Sequence, residues 1–478
     1  MFIKILLLQR RQPIAFAVML CAICCTLFAI LLPSLRITRP ESVGNLSSLL
    51  RFYFPGYLLA WLSLTVLVVT LGKRMVLPMV KQNVIVILVI AAILRLFVVF
   101  AGSPQLSDDI WRYIHDGQTL VAGDNPYRVA PADLQHQNQV TQQINHPELV
   151  TIYQPASQWT FAALAKMQFD RLGDVTFRLG FVLFDLGIIA MLLVALHRKK
   201  RSVWWAIAYA WHPLVISEVA ATGHQDVIGI AMLIACLSFV SRRERRLDMV
   251  FAGICFAIAV AVKPIVLPLI LPLTWELFRH KKSCSLEGKT MCSKAALVHA
   301  THGALITGIA LYLPFTLMPG GIGGLWETAS TFVQGWQFNS LVHGISQLLV
   351  GDPRAARWIA GSLLMFILLA CMAKGASLWQ TCCLYFFASL LCSSTVYPWY
   401  LLWALALFPL CFSRGLWILS LTIVISYEVL GHQDQWQVPI WIWAMTWLPV
   451  LAGVGWDIKS FLNHREPKNQ FNNAQAHR

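Results

Sequence analysis

The chain has 478 residues, of which 58% are apolar and only 12% charged, with a mean hydropathy of +0.64. Soluble domains carry about 25% charge, so half of the usual polar coat is missing, and disorder, a secreted disulfide scaffold and a soluble enzyme core are excluded. Apolar runs of roughly 20 residues, the length that crosses a hydrocarbon core, recur throughout and predict an all-α polytopic membrane protein of about 12 to 14 transmembrane helices; they are too solid for an outer-membrane barrel.

In chain order, spans are expected near 13–35, 54–72, 83–101, 174–196, 203–217, 225–241, 249–263, 264–279, 303–318, 356–373, 376–394, 399–412, 415–430 and 438–456. The net charge of +15 resides in short clusters between them: Lys4, Arg10 and Arg11, Lys73, Arg74 and Lys81, 198–201, 242–246, and Arg279, Lys281 and Lys282. Under the positive-inside rule these clusters face the cytoplasm, which puts both termini inside and makes membrane lipid, not nucleic acid, the partner of the charge. The first 35 residues read as a retained span without a cleavage site. Three regions are expected: an N-terminal hairpin (1–82), a central membrane domain (83–430), and a last span with a cytoplasmic tail (431–478). Residues 102–173 form a long outside loop and 319–355 a second.

Ten of the twelve cysteines lie in apolar runs and act as small hydrophobes. Cys284, Cys292, His299 and His302 share an expected cytoplasmic loop, but their spacing matches no common zinc finger. No metal site and no cofactor is assigned, with a divalent metal left open.

The first outside loop carries the unusual chemistry. Its segment 107–117, S-D-D-I-W-R-Y-I-H-D-G, reads as a helix capped by Ser107, with Asp108 and Asp109 in the first turn. Asp109, Arg112, Tyr113 and Asp116 then share one face. The face is either a solvated amphipathic surface or a pocket in which Arg and Tyr hold a carboxylate. Because adjacent helical residues point about 100° apart, only one acid can face that pocket, and the i, i+4 relation to Tyr113 selects Asp109. Asp108 is left to cap the helix or bind an acceptor hydroxyl. Asn125, Tyr127, Arg128, His146, Glu148 and Tyr153 stand in the remaining motifs of the loop as candidates for substrate contact. Arg112 and Arg128 could reach a phosphate or anionic lipid.

Lys263 follows the apolar run 253–262 and precedes Pro264, which presents an ammonium at the membrane boundary for phosphate binding or snorkelling. Arg95, inside the third span, is expected to pair with Asp185 in the fourth. His224 and Asp226 stand two apart at a helix start, either as a capped turn or as an oriented imidazole. His432 to Asp434 reads as a solvated loop. Trp403, Trp436, Trp441 and Trp443 fit the aromatic belt of any membrane protein.

The loop motif, with G-D-N-P-Y-R-V-A-P from 123 and N-H-P-E-L-V-T-I-Y-Q-P from 145, resembles the first outside loop of the bacterial multi-pass GT-C glycosyltransferases, in particular mannosyltransferases that use polyprenyl-phosphate sugars. Further similar stretches are A-T-G-H-Q-D at 221–226, A-V-K-P-I-V-L-P-L at 261–269, F-N-S-L at 338–341 and V-Y-P-W-Y-L-L-W at 396–403, so that the resemblance spans about 83–412. Gln154 stands where the family often has the first of two prolines.

The resemblance implies a GT-C-like bundle with juxtamembrane helices in its first loop. It also implies an acidic base early in that loop, Asp109 by the acid-x-x-x-Tyr spacing, and places His224 and Asp226 near the sugar. Tyr397, Trp399 and Tyr400 would stack on sugar rings. The donor would be a polyprenyl-phosphate hexose, most often mannose, and the acceptor a hydroxyl of a lipid or glycan, at the outer face of a bacterial inner membrane. The absence of a Gly-rich nucleotide cradle agrees with a lipid-borne donor. The rival class is a transporter or flippase of a lipid-linked sugar, which would put its charges at mid-membrane in paired broken helices.

Overall fold

A computed structural model describes residues 13–32, 49–72, 81–102, 105–243, 245–279, 292–431 and 437–463. Among these residues the chain is mainly helical, and its one extended pairing is an isolated parallel bridge between Phe338 and Thr395.

In chain order the helices are α1 (Pro13–Leu31), α2 (Phe54–Gly72), α3 (Lys81–Ala101), α4 (Asp109–Val121), α5 (Pro155–Lys166), α6 (Asp174–Arg198), α7 (Asp226–Arg242), α8 (Arg246–Val260), α9 (Ile270–Arg279), α10 (Ser293–Leu317), α11 (Gly323–Gly335), α12 (Val342–Val350), α13 (Pro353–Ala373), α14 (Leu378–Cys392), α15 (Arg414–Thr422) and α16 (Ile440–Asn463). Every expected span contains helix. Six helices among the described residues are long and apolar enough to cross a membrane unaided.

Four expected spans are broken. Residues 203–221 run through short 3-10, α and π pieces around Pro213, and 264–279 is interrupted by Pro264, Pro268 and Pro272; 398–410 and 414–431 are likewise divided into short α and 3-10 pieces. Proline removes a backbone donor and ends a helix, and such irregular backbone is tolerated at membrane depth only inside protein. The pieces at 203–221 and 398–411 are accordingly almost wholly buried.

Helix α10 begins ten residues before the expected span at 303, so His299 and His302 are helical and not in a loop. Cys284, His432, Asp434 and Trp436 lie outside the described residues. The expected loop at 319–355 contains the helices α11 and α12.

Small residues set the closest crossing. A Cβ on Gly253 of α8 would lie 1.8 Å from the Ala300 carbonyl oxygen, and one on Gly303 of α10 would lie 2.2 Å from that of Val250. The two backbones therefore touch without side chains between them, the usual way for helices to associate in lipid. Helices α1 and α2 pack through Phe28, Tyr53 and Tyr57, and α2 docks on α15 through Trp61, which donates to Ser420 at 3.0 Å, and Trp417, which donates to Thr65 at 2.9 Å.

Arg95 and Asp185 pair as expected, both fully buried. Arg95 also donates to the Ala210 carbonyl at 2.8 Å, and Tyr209 donates to Asp185 at 2.7 Å. This pair clamps α3 to α6 and to the broken segment 203–221.

Candidate active site

The loop 102–173, the turns at 222–225 and 261–264, and the segments 319–355 and 393–400 meet at one end of the bundle. Helices α4 and α5 form the loop's frame. Gly117 allows their contact, since a Cβ there would lie 2.5 Å from the Phe161 carbonyl oxygen. Ser107 accepts a hydrogen bond from the Asp109 amide at 3.3 Å, while Asp108 occupies the cap position without a capping bond from its own side chain. The expected capping role of Asp108 is therefore corrected: the serine hydroxyl takes it.

The face expected to gather Asp109, Arg112, Tyr113 and Asp116 divides into two functions. Arg112 donates to the carbonyls of Leu149, Asn145 and His146 at 2.9, 3.3 and 2.8 Å. Tyr113 stacks on Phe161 at 4.8 Å and meets the edge of Tyr153 at the same distance. Asp116 is buried and accepts from Gln158 at 3.0 Å. Asn125 donates to the carbonyls of Pro319 and Gly321 at 3.1 and 2.7 Å, and the Tyr127 hydroxyl donates to the Tyr153 carbonyl at 2.8 Å. These side chains tie the loop to itself and to 319–355. Arg128 is exposed beside Gly320.

Asp109 alone on this helix looks into the centre of the site. Its side chain is 21% exposed. One oxygen accepts from Asn145 Nδ2 at 3.3 Å; the other lies 3.9 Å from His224 Nδ1. Burial raises its pKa above the ordinary carboxylate value, Asp108 and Asp226 add to the rise, and the Asn145 hydrogen bond and Lys263 oppose it.

His224 is held from every side. Its amide donates to the Glu218 carbonyl at 2.9 Å, its ring stacks on Trp399 at 4.2 Å, and its Nε2 lies 3.4 Å from a Glu218 carboxylate oxygen. Burial lowers its pKa to about 3, so the imidazole is neutral. Gly223 before it has φ +75° and no room for a Cβ, which would meet Ile110 at 2.8 Å and Arg178 at 2.9 Å. Glu218 is fully buried and accepts from Tyr427 at 2.7 Å.

Of the two alternatives for Asp226 and His224, the one in which the carboxylate orients the imidazole gives way to another pairing. Asp226 accepts from Lys263 Nζ at 2.7 Å and from Trp403 Nε1 at 2.6 Å, and the Lys263 ammonium sits 3.9 Å over the Tyr400 ring. Lys263 is thus partnered inside the site and does not snorkel. His146 and Glu148 pair at 3.3 Å on the exposed rim, where the imidazole edge meets Trp336.

Phe338, Tyr397, Trp399 and His224 form a column of stacked rings at 4.7, 4.5 and 4.2 Å. Both faces of Tyr397 and Trp399 are covered by ring neighbours, so a sugar can meet their edges but not stack on them. The expectation of stacking is corrected by this column for Tyr397 and Trp399; Tyr400 stands outside the column, edge-on to both.

The sequence analysis did not single out Glu218 or Asn145, and read Trp403 as one of the interfacial belt aromatics. An isolated acid in the apolar stretch 213–221 is itself a signal, because a charge at that depth needs a partner. Asn145 and Trp403 stand inside stretches already marked by the resemblance. Among the described residues, no three His, Cys, Asp or Glu side chains come together as a metal site.

The arrangement is a part-exposed carboxylate of raised pKa, backed by a neutral imidazole, with an ammonium nearby. It can take a proton from a hydroxyl and meet a departing anion. No curated protein and no solved structure matches the chain. Over residues 14–279, more than half of its length, it matches the MptA_B family, described as alpha-(1->6)-mannopyranosyltransferase, N-terminal domain, and the chain therefore belongs to that family of glycosyltransferases.

Proposed function

We propose that the protein transfers mannose from a polyprenyl-phosphate donor to a hydroxyl of a lipid or glycan acceptor, with Asp109 as general base. The observation that carries the reading is that Asp109 is a part-exposed acid of raised pKa, 3.9 Å from a fully buried imidazole. In the reaction the acceptor hydroxyl gives its proton to Asp109 as its oxygen attacks the anomeric carbon. The bond from that carbon to the phosphate oxygen breaks, and the phosphate leaves with the electron pair. Lys263, held by Asp226, lies close enough to Asp109 to influence its ionisation and supplies positive charge for the leaving phosphate.

His224 orients Asp109 from behind. A single displacement inverts the anomeric centre, so an α-(1→6) product, as the family's name suggests, requires a β-configured donor. Asp108, exposed at the start of α4, is available to the acceptor.

The loop end faces away from the cytoplasm in this reading, in a bacterial inner membrane with both termini inside. Its support is that Arg201, Arg243 and Arg279, from the basic clusters, lie on segments at the opposite end. Cysteines placed in 124–140 should be labelled from outside in intact cells; labelling only after permeabilisation would overturn the orientation.

The deciding experiment supplies the purified chain with labelled polyprenyl-phosphate mannose or a nucleotide mannose in turn. Transfer from the lipid donor only, with an inverted product anomer by NMR, is expected. Use of the nucleotide sugar, or a retained anomer, would overturn the donor or the mechanism respectively.

A further inference from the structure

His224 stands between two acids. Its Nδ1 lies 3.9 Å from Asp109 Oδ2, and its Nε2 lies 3.4 Å from Glu218 Oε2. Both contacts are longer than a hydrogen bond, as catalytic contacts commonly are before substrate arrives, and neither ring nitrogen has another partner among the described residues. A neutral imidazole offers one donor and one acceptor. With both acids ionised, the ring nitrogen that lacks a proton would face a carboxylate, lone pair to lone pair. That repulsion is removed when one acid carries a proton toward the ring.

The surroundings decide which acid. The Asp109 side chain is 21% exposed, and the nearby Lys263 ammonium favours its ionised form. Glu218 is fully buried, and among the described residues no Lys or Arg pairs with it. The titratable groups that face it are Tyr53 from the turn 49–53, Tyr57 of α2, Tyr427 from 423–431, His224, and Asp226 of α7. None is a cation, since burial keeps His224 neutral, and Asp226 adds negative charge. A carboxylate enclosed in this way takes up a proton in preference to staying charged.

The hydrogen bonds decide which oxygen. Oε1 accepts from the Tyr427 hydroxyl at 2.7 Å, and the Ser217 hydroxyl lies 3.3 Å from it. Oε2 has Thr222 Oγ1 at 3.4 Å besides His224 Nε2. The Thr222 hydroxyl has a nearer acceptor in the Glu218 backbone carbonyl, at 2.9 Å, and its one proton is engaged there. Oε1 therefore has the surroundings of a carboxylic acid's acceptor oxygen, and Oε2 those of its hydroxyl, with Nε2 as the receiving atom.

We propose, resting on Asp109 as the base, that Glu218 is a positioning residue for the transfer: it stays protonated, donates from Oε2 to His224 Nε2, and so directs Nδ1–H at Asp109. A carboxylic acid kept neutral by its site is a hydrogen-bond donor, and the bond made by one ring nitrogen sets which tautomer the other presents. Nδ1–H steadies the ionised form of Asp109, the form that accepts the proton of the acceptor hydroxyl. The opposite tautomer would set a lone pair against it. The stacked Trp399 ring and the His224 amide bond to the Glu218 carbonyl hold the imidazole in the plane that this arrangement needs. No bond of the substrate is made or broken at Glu218, and its proton stays in place.

Two spectroscopic measurements on the full chain in detergent need no sugar donor and no turnover, so their failure is distinct from failure of the transfer reading. Infrared spectra should show the carbonyl band of a protonated carboxyl in the wild type that is lost in Glu218→Gln. NMR of nitrogen-labelled histidine, with His224 assigned by the signals missing in His224→Gln, should show the Nδ1–H tautomer in the wild type. Loss of a carboxylate band in place of the carbonyl band, or an Nε2–H tautomer, would overturn the proposal; each readout rests on a different variant, so one that misfolds leaves the other in force. In transfer assays Glu218→Met, which removes the donor at similar length, should lower kcat/KM about tenfold or more, and Glu218→Gln, whose amide can donate to Nε2, should recover most of that loss. A folded Glu218→Met chain as active as the wild type would likewise overturn it.

Discussion

The two ends of the bundle treat charge in different ways. At the loop end, charged groups are matched to one another at short range and sheltered: Lys263 on Asp226, and Arg178 of α6 on Asp174 at 2.6 Å. At the other end, Arg414 pairs with Asp457 and Arg242 with Asp248, but two further arginines sit on backbone carbonyls. Arg201 donates to Leu410 at 2.8 Å, and Arg279 to Gly375 and Ala376 at 2.9 and 3.0 Å, where α13 ends in a left-handed glycine. A cation at a helix C-terminus satisfies carbonyls left without partners, and it does so without burying an acid. The difference lies in what the charges hold: Arg201 and Arg279 tie helix ends together, whereas the loop end holds Asp109, whose pKa burial raises.

The largest expected effect breaks the loop end. Asp109→Asn should lower the rate of transfer roughly 10²- to 10⁴-fold in a protein that inserts and melts normally, and Asp108→Asn should leave partial activity. The reverse ranking, measured in the same assay, would shift the base to Asp108.

Next comes the clamp between the ends. Arg95→Leu leaves the Asp185 carboxylate buried and unpaired, a loss of about 3 to 5 kcal/mol. Thermal unfolding should show it, and the double change with Asp185→Leu should recover much of the loss. A single variant as stable as the wild type would mean that Asp185 is not ionised in the fold.

A smaller effect concerns pH. A base must be ionised to act, so activity falls as pH drops through the pKa of Asp109. The ammonium of Lys263 lowers that pKa. Lys263→Met should therefore shift the acid limb of the kcat/KM profile to higher pH, besides weakening use of the lipid donor. An acid limb that stays in place would remove Lys263 from the electrostatics of the base.

The smallest effect is at the basic end. Arg279→Ala should cost about 1 kcal/mol or less and leave transfer unchanged, as read by the melting temperature and by turnover. A loss of activity there would end that difference between the two ends.

Much of the fold was legible because its signals are simple. Apolar runs mark spans, basic clusters mark ends, and two isolated charges such as Arg95 and Asp185 have to find each other in lipid. The broken spans were harder to read, since Pro213, Pro268 and Pro409 stand inside stretches whose hydropathy is uninterrupted. Within the site, Asp109 was legible from its position on one helix, but its neighbours were not. Spacing along α4 puts Arg112, Tyr113 and Asp116 on a common face; it says nothing about Gln158, Leu149 or Phe161, which arrive from other segments and engage them first. Glu218 escaped attention for the opposite reason: it stands outside the motif of His224, beside which it lies, and Tyr427, which donates to it, is far away in the chain.

The column of rings from Phe338 to His224 has a mechanical meaning. It links the segment 336–341, through Tyr397 and Trp399, to the imidazole beside Asp109, joining three segments that are far apart in the chain. The placement of that imidazole is thereby tied to the seating of a distant segment.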